Sequence, residues 1–287
     1  MATDSKLIFH LSDIHFGLED RAAIGWVERE IARLRPDAIA ITGDLTMRAR
    51  HREFAAATRW INSLDGRVTV GIGNHDMPYF NPVERFLTPY KRFRGMRDLV
   101  EREIELPGTA IVPLKSVRRW QPRLNWSKGW ITDEALAECL AAIDALPSGT
   151  RVLVATHHPL VEVGTRGTAL THGGDRALAM LAQREVAAVL SGHVHDPFDM
   201  MRDTPEGPIR MIGAGTLSQR IRSTPPSFNA LTLRADGAIE VEVRNLEHVP
   251  TEDMKIDDIP PDAMPPRTPG EPVAPVAAVP EVDPPVH

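Results

Sequence analysis

Five short clusters hold the residues of this sequence that could do chemistry: Asp13-Ile14-His15, Gly43-Asp44, Gly73-Asn74-His75-Asp76, His157-His158-Pro159 and Gly192-His193-Val194-His195. Carboxylate, imidazole and amide donors without thiols suit Mn²⁺, Fe or Zn²⁺ rather than a cysteine-rich zinc centre. Asp13 and His15 stand two residues apart, as do His193 and His195, so both members of each pair can reach one ion if the chain turns there. Asp44 is the natural bridge, because a carboxylate can give one oxygen to each of two ions. Two ions about 3.5–4 Å apart are the usual arrangement for phosphoryl hydrolysis. Glycines ahead of Asp44, Asn74 and His193 admit tight turns.

Each cluster needs an element to aim it, and each follows a short apolar run. Lys6–Leu11, Ala38–Thr42 and Val68–Ile72 read as buried strands, separated by helical patterns over Ala22–Leu34 and Arg52–Leu64. Pro36 closes the first helix. Arg151–Ala155 and the run Val186–Leu190 are two further strands, with a helix at Asp175–Gln183 between them. A strand at Ala110–Leu114 and a helix over Thr132–Leu146, capped by Thr132, come before them. The strands at Ile209–Gly213, Ser227–Leu233 and Ile239–Arg244 follow one another without helices, and Asp236-Gly237 marks a hairpin. Open α/β sheets bind ligands beyond the carboxyl ends of their strands, so five such ends can converge on one site. His10 lies inside the first strand and reads as a packed residue, and Cys139 as core.

Composition bounds the alternatives. The 287 residues are 42% hydrophobic and 25% charged, an ordinary soluble composition, and the single cysteine excludes a disulfide framework. No apolar run reaches the ~18 residues of a membrane span, and no cleavable leader precedes the first strand, so a cytoplasmic location is expected. The net charge of −6 belongs to the segment 250–287, which holds eight acidic and two basic residues and 11 of the 25 prolines. That segment is expected to be a disordered tail, and 1–249 the folded domain. The domain is then formally neutral, which argues against nucleic acid as a partner. Within it, 77–128 carries eleven Lys/Arg against five Asp/Glu and reads as a basic, cap-like insertion. Its 85–102 portion is the candidate for peripheral membrane contact.

The ordered clusters resemble the calcineurin-like metallophosphoesterase superfamily, whose pattern is D-x-H, GD, GNH(D/E), H and GH-x-H. The likeness runs from residue 6 to about 245. It implies a four-layer α-β-β-α sandwich with a di-metal site at the carboxyl ends of the strands. It also implies one ion on Asp13, His15, Asp44 and His195, and a second on Asp44, Asn74, His157 and His193. His157 is chosen over His158 because the family's ligand precedes proline by two positions; His158 is then a supporting or substrate-binding residue. A metal-bound hydroxide would attack phosphorus, with His75 as general acid or phosphate donor and Asn74 also reaching the substrate. Many relatives carry an Asp three residues after the GD aspartate to orient that histidine. Met47 stands there, so either Asp76 or another carboxylate is the orienting, catalytic partner or His75 is less firmly held.

The stretches Ser12-Asp13-Ile14-His15-Phe16-Gly17, Gly43-Asp44-Leu45-Thr46 and Gly73-Asn74-His75-Asp76 look most like the cyclic-nucleotide phosphodiesterase branch. A small-molecule phosphodiester, nominally a cyclic nucleotide, is therefore the expected substrate. The competing readings are a pyrophosphohydrolase of lipid-linked nucleotides, a DNA nuclease and a non-catalytic scaffold of the same fold.

Overall fold

A computed structural model of the chain describes residues 5–247 apart from 79, 80, 103, 105 and 124. The expected proline-rich tail lies outside the described residues. In chain order the elements are β1 (Lys6–Leu11), α1 (Arg21–Leu34), β2 (Ala38–Ile41), α2 (His51–Ser63), β3 (Val68–Val70), α3 (Pro82–Leu87), α4 (Lys91–Val100), β4 (Thr109–Pro113), α5 (Asp133–Asp144), β5 (Arg151–Ala155), α6 (Gly174–Ala182), β6 (Ala188–Ser191), β7 (Phe198–Thr204), β8 (Gly207–Gly213), β9 (Ser227–Leu233) and β10 (Ile239–Asn245). They build two five-stranded sheets, ordered β10-β9-β1-β2-β3 and β4-β5-β6-β8-β7. Strands β1, β2 and β3 run parallel in the first sheet, and β4, β5, β6 and β8 in the second.

The period-two alternation of the strands separates three apolar layers. Phe9, Leu11, Ile39, Ile41, Val68 and Val70 face outward and bury Val27, Ile31, Phe54, Trp60 and Ile61 of α1 and α2. On the second sheet Val112, Val152, Val154, Val189 and Met211 cover Leu136, Leu140 and Ile143 of α5 and Leu178 and Leu181 of α6. The residues between, Ile8, Ala38, Ala40, Leu153, Ala188, Leu190, Ile212 and Leu231, join the two sheets to each other. Three layers of core require four layers of backbone, the α-β-β-α sandwich. Truncating a fully buried member such as Leu153 to Ala should cost about 2–5 kcal/mol.

Local signals explain the element ends that aim the site. Asp20 accepts from the N–H groups of Ala22 and Ala23 to start α1, and Arg35 in a left-handed conformation ends it before Pro36. Thr132 caps α5 through Ala135 N–H. Within the 77–128 stretch lie α3, α4 and β4, and β4, close to the strand expected at Ala110–Leu114, pairs with β5 in the second sheet. Phe93, Met96 and Val100 of α4 are buried against α2 and the first sheet, while Phe86, Leu87 and Leu99 of the same 85–102 stretch are exposed. No described helix is long and apolar enough to cross a membrane.

Candidate active site

The five sequence clusters lie immediately past β1, β2, β3, β5 and β6, and the structure brings them together at one end of the two sheets. Asp13, His15, Asp44, His157 and His195 are each no more than 3% exposed. Two groups form. Around Asp13, the His195 Nε2 atom stands 3.1 Å and the His15 Nε2 atom 3.5 Å from Oδ1, and the two imidazole nitrogens are 3.3 Å apart. Around Asp44, His157 Nε2 lies 3.3 Å from Oδ2 and 3.1 Å from Asn74 Oδ1. His15 Nε2 is 3.8 Å from the same Asp44 oxygen, so Asp44 stands between the groups. The ring of His193 packs 5.2 Å from that of His157.

The backbone beneath these side chains is strained. Asp13, His15, Asp44, His193 and His195 all have positive φ, between 51° and 68°. A non-glycine residue pays for that conformation, and such residues cluster where the surroundings over-determine them. The two glycines that matter most are needed for space. A Cβ on Gly73 would lie 2.1 Å from Asp44 Oδ1, and one on Gly192 would lie 1.8 Å from Ser12 Oγ and 2.5 Å from Asp13 Oδ2.

Main-chain carbonyls fix which ring nitrogen faces inward. His157 Nδ1 donates to Thr42 O at 2.9 Å and His195 Nδ1 to Arg220 O at 2.6 Å, leaving both Nε2 atoms toward the carboxylates. This is the outer hydrogen bond typical of metal-binding histidines. Asp13 Oδ2 accepts from His193 N–H and Ser12 Oγ, both at 2.7 Å, whereas Asp13 Oδ1 has no hydrogen-bond partner. Burial works against ionised carboxylates here, yet the neighbouring histidines hold both Asp13 and Asp44 well below the usual range. His157 responds oppositely: despite burial, Asp44 and Asp13 raise it to about 9. Two buried anions, an orphaned carboxylate oxygen and imidazole nitrogens turned toward one another make a donor set that divalent cations fit.

His75 stands beside this cluster, its ring edge-on to His15 at 4.8 Å. Its orienting partner is not a carboxylate. Nδ1 donates to the main-chain carbonyl of Met47 at 2.7 Å, so Met47 stands in through its backbone. Asp76, expected in that role, is fully buried and instead ties two loops together. It accepts from Gly73 and Thr46 N–H at 3.0 and 2.8 Å and from Thr46 Oγ1 at 3.0 Å. Burial and Asp44 push it up to about 7. Of the two roles expected for His158, supporting or substrate-binding, its contacts fit the supporting one. Both ring nitrogens are committed internally, Nδ1 to Ser116 Oγ at 2.8 Å and Nε2 to Ser127 O at 2.9 Å, and the residue is wholly buried. One residue that no motif marks completes the site: Arg220, in the loop after β8, places Nη1 3.0 Å from His75 Nε2.

Residues 6–197 match the calcineurin-like phosphoesterase family. The chain belongs to that family, the di-metal phosphoester hydrolases. It is 24% identical over 212 residues to the glycerophosphodiester phosphodiesterase GpdQ of Enterobacter lignolyticus (strain SCF1), covering 66% of this chain and 71% of that one. Its fold resembles a dimetal phosphatase from Danio rerio with a TM-score of 0.57 at 14% identity, over 84% of this chain and 99% of the other. It also resembles GAP50, the anchor in the inner membrane complex of Plasmodium, with a TM-score of 0.53 at 12% identity, over 85% and 89% of the two chains.

Proposed function

We propose that this chain is a two-metal phosphodiesterase, with one ion held by Asp13, His15, Asp44 and His195 and the other by Asp44, Asn74, His157 and His193. The observation that carries the reading is the pair of buried carboxylates, one with an unpartnered oxygen, surrounded by inward-turned histidine nitrogens on strained backbone. When bound, the ions supply Lewis acidity that polarises the phosphoryl group and lowers the pKa of water. Every other element of the work falls to the chain. Asn74, with its amide oxygen toward His157, keeps its NH₂ free to donate to a phosphoryl oxygen. His75, held at Nδ1 by Met47 O, presents Nε2 as its working atom toward phosphate or leaving group. Asp76 keeps the loops carrying Asp44 and His75 in register.

A phosphodiester is favoured as substrate by the motif likeness to cyclic-nucleotide phosphodiesterases and by the relative named for glycerophosphodiesters. We take the cyclic nucleotide as the nominal substrate and the body up to about residue 249 as the catalytic unit. The described residues through Glu247 form one compact unit. The test is a panel of cyclic nucleotide, glycerophosphodiester, bis(p-nitrophenyl) phosphate and phosphomonoester, offered to metal-stripped protein with and without Mn²⁺. Metal-dependent turnover of diesters, lost in Asp44→Asn, is expected. Absence of turnover on every member would sink the enzyme reading and favour a scaffold of this fold.

A further inference from the structure

Arg220 sits in a loop that is held firmly on both flanks. Ser218 Oγ accepts from Arg220 N–H, and Thr216 Oγ1 accepts from Ser218 N–H at 3.1 Å. Gln219 N–H donates to Leu18 O at 3.0 Å, and Asp196, directly after the last histidine of the site, accepts from Ser223 N–H at 2.8 Å. The backbone of Arg220 thereby receives His195 Nδ1, while its side chain turns the other way to His75. One residue touches both sides of the site.

The side-chain contact is chemically unusual. His75 Nδ1 meets a carbonyl, which only accepts, so that nitrogen carries the proton and Nε2 offers a lone pair to the guanidinium. The other near neighbour of Arg220 Nη1 is the Met47 thioether, with Sδ 3.9 Å away. A half-buried guanidinium thus meets a neutral ring and a sulfur, not a carboxylate. Among the described residues its side-chain contacts run through Nη1 alone, beside a cluster in which His15, Asp44 and His75 donor atoms lie within 4.8 Å of one another. A planar fork of donors matches two oxygens of a phosphoryl group.

Resting on the phosphoester reading above, we propose that Arg220 is a phosphate-binding residue of this site. In the free protein its guanidinium caps His75 Nε2; with substrate it donates to non-bridging phosphoryl oxygens and releases His75 Nε2, which must gain a proton from solvent before it can donate to the phosphoryl group or leaving group. The ligand class is the phosphoryl group itself, and the stronger its charge the larger the contribution, so inorganic phosphate should depend on Arg220 more than a diester monoanion does.

The experiment compares wild type, Arg220→Met and Arg220→Lys, all Mn²⁺-loaded, by calorimetric titration with inorganic phosphate and by kinetics on bis(p-nitrophenyl) phosphate. Metal content and thermal midpoint are checked first. His195 is anchored through a main-chain carbonyl, so both variants should keep wild-type metal content. Arg220→Met is expected to weaken phosphate binding about 10–100-fold and to raise KM, with Arg220→Lys recovering part of the loss. Wild-type phosphate affinity in a metal-replete Arg220→Met would overturn the proposal while leaving the hydrolase reading intact. A wild type that neither binds phosphate nor turns over the diester would overturn both.

Discussion

His10 and His15 are five residues apart, equally buried, and opposite in what they do. His10 lies within β1 between the two sheets. Thr42 Oγ1 is 3.1 Å from its Nε2 and Asn229 Nδ2 is 3.4 Å from its Nδ1, so both ring nitrogens have partners. His15 lies just past the strand at φ 51°, with Nδ1 unpartnered and Nε2 facing Asp13, Asp44 and His195. A buried polar group with its bonds closed inside the protein is structure. One left open on strained backbone beside buried carboxylates is a binding site. The same contrast separates His158, closed by Ser116 and Ser127, from its neighbour His157, which opens toward Asp44.

The sharpest way to break the contrast is to alter the open side. Asp44→Asn should lower metal-dependent diester turnover more than about 1000-fold, because it weakens both ion positions at once. Mn²⁺ at 100 times its Kd should raise the stability of wild type by about 2.7 kcal/mol for each site filled and that of the variant by much less, as read by thermal melts. Gly192→Ala, whose Cβ would collide with Ser12 and Asp13, should cut turnover by about 100-fold or more in a protein that still folds.

On the closed side the expected damage is to stability. His10→Ala leaves a cavity and takes one hydrogen-bond partner each from Thr42 and Asn229, costing about 2–4 kcal/mol in urea unfolding, with turnover per folded molecule preserved. Burial also pushes His10 down to about 3, although Asp13 acts to raise it. The folded state then binds fewer protons than the unfolded chain between pH 6.5 and 3. This stabilisation is present above 6.5 and is lost as pH falls through that window. His10→Asn should therefore flatten the acid limb of metal-free protein by about one proton, ~1.4 kcal/mol per pH unit. The smallest effect belongs to Met47→Leu: its carbonyl holds His75, so kcat should change less than about three-fold.

Much of this was legible beforehand, for reasons that differ by region. Strands β1, β5 and β9 match their expected ranges because uninterrupted apolar runs between turn signals leave few alternatives. Strand β7 was not seen: Phe198–Thr204 is a mostly exposed edge strand whose polar sequence follows Pro197. The basic residues of 77–128 drew attention to charge, while Phe93, Met96 and Val100 at helical spacing carried the packing. The seven ligand-type residues were visible because side-chain chemistry is written in residue types. The support of His75 was not, because a backbone carbonyl has no residue type. Arg220 escaped for another reason. It follows β8 in a loop without a motif, and only the fold brings it 145 residues back to His75.

The central claim is that the open cluster at the strand ends binds two divalent ions and is inert without them. Titrating metal-stripped protein with Mn²⁺, while following bound metal and bis(p-nitrophenyl) phosphate hydrolysis in the same samples, tests it directly. The account predicts saturation at about two ions per chain, with hydrolysis rising as the sites fill. Saturable turnover in fully stripped protein, or binding of two ions that also persists in Asp44→Asn, would contradict it.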